Sequence, residues 1–139
     1  MAHTLTVPTL RLAEAIGLFC LAAGAGMMIA PERWRAILDD LERLPGLAYA
    51  FGAIAFAIGV AILIPHHITA DWLAAAVTVI AILAAIEGLA LVAVPQVVFV
   101  LARSFLAAPR LWAIVTIVIG AVLFLAGLTG RADAIPRMI

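Results

Sequence analysis

One glutamate sits where a charge is expensive. Glu87 lies between Ile86 and Gly88, about two turns before the end of a long apolar run. An ionised side chain at the centre of a spanning helix costs roughly 2.5–3.5 kcal/mol on insertion scales. A carboxyl group there can serve as a hydrogen bond between helices, a proton or ligand site, or an interfacial group. The helix-to-helix hydrogen bond is the first expectation, since Gly88 beside it allows close helix approach. Glu14 follows Arg11 near the start of another run and is expected at the interface, at the opposite depth. A Glu14–Glu87 pair is therefore not expected.

Other reactive side chains are sparse. His66, His67 and Asp71 share one short turn, and adjacent histidines rarely both face one ion. A solvated loop is expected there, with Asp71 as a helix cap. No histidine lies mid-run, which disfavours a haem held between spans. Cys20 is the lone cysteine, so no intrachain disulfide can form, and it reads as a small packing residue. No Ser/His/Asp set, phosphate loop, metal quartet or paired catalytic carboxylates is present. The expectation is a protein with no catalytic residues, metal or cofactor.

The elements holding these residues follow from composition. Of 139 residues, 68% are hydrophobic, and mean hydropathy is +1.29. A water-soluble fold of this size cannot hide that much apolar surface. Eight Arg balance eight Asp and Glu, with no Lys, so no basic field invites nucleic acid. Crossing a bilayer takes about 20 apolar residues. Four segments qualify, at about 10–30, 46–64, 72–94 and 111–129. Strand-type alternation is absent, so the fold class is an all-α membrane protein, one membrane domain over 1–139. The first segment carries Glu14 and lacks a clear cleavage site, so it reads as a retained helix and not a signal peptide.

Two longer connections are bracketed by prolines. Between Pro31 and Pro45, Trp34, Ile37, Leu38, Leu41 and Leu44 share one helical face, with charges elsewhere. That is an amphipathic helix for the membrane interface. Asp39 and Arg43 there have i,i+4 ion-pair spacing. The segment between Pro95 and Pro109 is greasier, with Arg103 and Ser104 its strongly polar residues.

The brackets repeat at a constant offset. Pro31 to Pro95, Pro45 to Pro109 and Gly24 to Gly88 are each 64 residues. Gly59 and Gly120 break that register, as if the second unit were about a turn shorter. This predicts two parallel-repeat hairpins, at about 10–66 and 74–130, each with an interfacial helix between its spans. Each unit crosses twice, so both enter with one orientation. The long connections with Arg110 hold five arginines and the other side three, which predicts cytoplasmic connections and outer termini. Gly24, Gly26, Gly52, Gly59, Gly88 and Gly120 offer small-residue faces for helix packing.

The pattern Glu87-Gly88, Pro95, Pro109 and Gly120, with Gly24, Pro31-Glu32-Arg33, Leu44-Pro45, Gly52 and Gly59, resembles a tandem duplication of the YjeT-like family. These are uncharacterised two-helix bacterial inner membrane proteins. Ala23 stands where that family has glutamate, and the arginine expected near Tyr49 is missing. The resemblance implies architecture and a bacterial inner (plasma) membrane, and no activity. The leading expectation is a non-enzymatic multi-pass accessory or scaffold protein, packing in lipid against other membrane proteins or itself. A small oligomeric transporter or channel using Glu87 is one alternative. A lipid- or quinone-binding module is another.

Overall fold

The computed structural model describes residues 6–65 and 72–134. His66, His67 and Asp71, and with them the expected outer turn, lie outside the described residues. Six α-helices occur in order: α1 (Thr6–Ile29), α2 (Pro31–Arg43), α3 (Pro45–Leu63), α4 (Trp72–Ala93), α5 (Pro95–Leu106) and α6 (Pro109–Ala134). No strand occurs among the described residues. Four helices are long and apolar enough to cross a membrane, over Pro8–Ile29, Pro45–Leu63, Trp72–Ala93 and Pro109–Gly130. Only 17–22% of each spanning window is buried inside the chain. Phe19 and Ile64 are 72% and 69% exposed, so lipid must cover the outer faces.

Prolines make the corners. Pro31, Pro45, Pro95 and Pro109 each open a helix, where the missing N–H costs nothing. A residue before proline is pushed out of the α region. Ala30 and Val94 accordingly have nearly the same extended backbone, φ/ψ −139/70 and −141/62. Leu44 likewise leaves helical geometry at φ −117, ψ 88. Ala107, ending α5, keeps helical geometry, and the chain turns into α6 through Ala108. Threonine hydroxyls inside the spans are satisfied locally. Thr78, Thr116 and Thr129 donate to the carbonyls of Ala74, Trp112 and Leu125, each at 2.8 Å.

The helix pairing differs from two self-contained hairpins. α1 lies antiparallel along α6, and α3 lies antiparallel along α4. The strongest contacts therefore join the first predicted unit to the second. Within each predicted unit the short helix touches both of its neighbouring spans: α2 touches α1 and α3, and α5 touches α4 and α6. Glycine sets the closeness of both pairs. A Cβ on Gly52 would lie 2.8 Å from the Gly88 carbonyl oxygen, and one on Gly59 would lie 2.6 Å from that of Ala81. On the other pair, a Cβ on Gly24 would lie 3.0 Å from the Ala113 oxygen, and one on Gly120 would lie 2.8 Å from that of Gly17. Gly26 is the exception among the six expected packing glycines. It meets no neighbouring span, only the Trp34 indole nitrogen at 3.8 Å from its added Cβ.

These contacts repeat between the pairs. Gly52 meets Gly88 as Ala113 meets Gly24, and Gly59 meets Ala81 as Gly120 meets Gly17. Gly24 to Gly88 and Gly17 to Ala81 are each 64 residues, while Gly52 to Ala113 and Gly59 to Gly120 are each 61. The two pairs meet through Leu10 and Ala13 of α1, Leu73 and Val77 of α4, and Leu123 of α6. This buried cluster lies at the end of the bundle away from α2 and α5. Cys20 packs at the α1–α6 contact, beside Gly120.

Candidate functional site

At the opposite end, α2 and α5 lie against one another. Arg103, the one charged side chain of α5, reaches across to α2. Its Nη2 donates to Asp39 Oδ1 at 3.0 Å and Glu42 Oε2 at 2.6 Å, while Nε donates to Glu42 Oε1 at 2.9 Å. This fork on a carboxylate is the two-point geometry that arginine favours. Donating to Glu42 and then Asp39 raises the guanidinium's pKa further above its already high value. A second bond returns the other way: Arg35 Nη2 donates to the Leu106 carbonyl oxygen at 3.3 Å. That carbonyl belongs to the last turn of α5, where no intrahelical N–H is available. The expected Asp39–Arg43 pair is not what forms, since Asp39 turns to Arg103.

Beneath the α2–α5 layer is a cleft of about 360 Å³. Its apolar face of α2 is the one read from spacing: Trp34, Ile37, Leu38 and Leu41 all line it. Leu44, the fifth member of that face, does not. It ends the helix and is 55% exposed. α5 contributes Val98, Ala102, Phe105 and Leu106, while its Val97, Val100 and Leu101 are exposed on the outer face. Phe105 is braced by Trp112 of α6, ring edge to face, with centroids 4.5 Å apart. Met27 of α1, Phe51 and Ala55 of α3 and Leu91 of α4 complete the apolar wall.

Glu87 is the one charged residue on that wall. Its side chain is exposed and makes no hydrogen bond or ion pair among the described residues. The helix-to-helix hydrogen bond expected of it is not formed. Gly88 beside it does pack as expected, against Gly52 and the backbone of Phe56. The steric need is met by the glycine, which leaves the carboxyl group for the cleft. Glu14 is half-buried, with its Cγ against Gly127 of α6, so it sits between helices more than its expected interfacial position implied. No group of three or more metal-ligating side chains occurs among the described residues.

Sequence reasoning missed two features. One is the Arg103 bridge, whose signal is faint: α2 carries Glu32, Asp39, Asp40 and Glu42 against Arg33, Arg35 and Arg43, and α5 carries one arginine with no acid of its own. The other is the cleft, which needs the helix pairing and leaves no mark on any single helix. No family model, no curated protein and no solved structure matches the chain.

Proposed function

We propose that this chain is a non-enzymatic membrane module that holds an amphiphilic molecule taken from the bilayer. The cleft carries the reading. Ligand sites are typically concave spaces of roughly 300–1,000 Å³, largely apolar, with a few polar groups to fix orientation. At about 360 Å³, walled by apolar side chains around Glu87, this one fits that description. The small-residue faces that first suggested packing against partner proteins are used inside the chain, at Gly17, Gly24, Gly52, Gly59, Gly88 and Gly120.

The same reading includes a tandem duplication in which α1–α3 and α4–α6 are equivalent. The repeated glycine contacts and the matched Ala30 and Val94 corners support it. It also includes a bacterial inner membrane setting, with α2 and α5 on the cytoplasmic side, from the arginine count. Association with other membrane proteins or with itself is the second reading. What favours it is the outer face of α5, where Val97, Val100 and Leu101 are exposed at the level at which α2 presents charges.

The test is native mass spectrometry of the protein released from its own membrane in mild detergent. The expected result is a chain retaining a small amphiphile, lost when Ala102→Phe fills the cleft. A stoichiometric protein complex with an empty cleft sinks the binding reading and favours the second. For sidedness, a cysteine at position 66 in a Cys20→Ala background should label from the outside.

A further inference from the structure

We propose that the cleft selects a lipophilic cation, with the positive group at Glu87 and the apolar body among Trp34, Phe51 and Phe105. The inference rests on the reading of the cleft as a ligand site and adds the ligand's charge. Three observations carry it. Glu87 is the sole charged residue of the lining, and no arginine contributes to it. The one cation of α5, Arg103, is already committed to Asp39 and Glu42 across the α2–α5 contact. Three aromatic side chains from three different helices share the lining with that one carboxyl group.

The physical argument is one of complementarity. The Glu87 carboxyl group is exposed at the cleft with no partner among the described residues, and a cation entering beside it supplies one. Aromatic faces attract cations through their ring quadrupole, and desolvation strengthens that attraction. An anionic amphiphile meets repulsion from Glu87 and finds no base on the wall. A neutral one uses the apolar wall and gains nothing from the charge. A permanent cation without N–H groups is as well served as an amine, because neither attraction requires a hydrogen bond.

The experiment uses the full chain in phosphatidylcholine nanodiscs, with tetraphenylphosphonium, tetraphenylborate and an isoprenoid quinone as probes. The first two match in size and shape and differ in charge sign. Binding is read by equilibrium dialysis and by quenching of Trp34 in a Trp72→Phe, Trp112→Phe background. Expected is saturable binding of the phosphonium, weakened at least about tenfold in Glu87→Gln and largely kept in Glu87→Asp. The borate should not bind the site. Phosphonium affinity unchanged in Glu87→Gln, with helical circular dichroism intact, overturns the proposal. Saturable binding of the quinone or borate without the phosphonium also overturns it, yet leaves the cleft as a ligand site. No saturable binding of any probe overturns both readings.

Discussion

The spanning pairs and the layer that joins them obey different rules. Between the α1–α6 and α3–α4 pairs, contacts recur residue for residue: glycine against glycine or alanine at matched depths. Between α2 and α5, almost nothing recurs. One is charged with an apolar stripe, the other nearly apolar with a single arginine. Backbone contact explains the first behaviour, since a Cβ at those glycines has nowhere to go. The second follows from what each helix faces. Were the two halves identical separate chains, each α2 would face its own copy, with Asp39 and Glu42 meeting the same carboxylates and no Arg103. Joined in one chain, α2 keeps the acids and α5 the arginine that binds them.

That contrast can be broken at several points. The largest effect should come from the spans. Gly88→Ala and Gly24→Ala force backbones apart and should each cost about 1–3 kcal/mol. Gly46→Ala, with no atom within 4 Å of its added Cβ, should be nearly silent. Thermal unfolding in detergent, followed by circular dichroism, measures all three. A large loss at one of the two pairs alone would end their equivalence.

Next in size is the layer. Arg103→Glu sets three carboxylates together, and should lower the melting temperature by less than either glycine variant. Low salt should exaggerate the loss, because exposed charges are screened by ions. Adding Glu42→Arg should recover part of it. A charge reversal without consequence at low salt would mean that the bridge holds nothing. Smaller still is Ala102→Phe, which should empty the cleft of ligand while leaving the melting temperature within a few degrees. The smallest effect concerns pH. Because its partners raise the Arg103 pKa, the guanidinium's side of the bridge is fully charged below its ordinary value and is lost only as pH rises beyond the raised one. The α2–α5 distance, read between spin labels, should therefore not change from neutral to alkaline conditions.

Much of this architecture was legible in the residues themselves. Span positions follow from the apolar runs, and the corners from prolines whose effect is local. Even the break in register between Gly59 and Gly120 pointed to the 61-residue offset that the contacts display. Pairing was not legible, because lipid asks the same of every outer face and each span reads alike. Glu87 was singled out by its cost in hydrocarbon, and the helix-to-helix hydrogen bond expected of it is not formed. Its neighbour Gly88 supplies the close contact, and only the fold brings Trp34, Phe51 and Phe105 near it. Arg103 was noticed as an oddity of a greasy segment, and its partners lay more than 60 residues away.

The antiparallel contact of α1 with α6 has a consequence for biosynthesis. Gly24 leaves the ribosome long before Ala113, its eventual neighbour. At about 5–20 residues per second, α1 waits several seconds in the bilayer with its glycine face uncovered. During that interval α3 and α4 already have each other. Synthesis order alone therefore lets α3 and α4 pair first and leaves the glycine face of α1 uncovered longest.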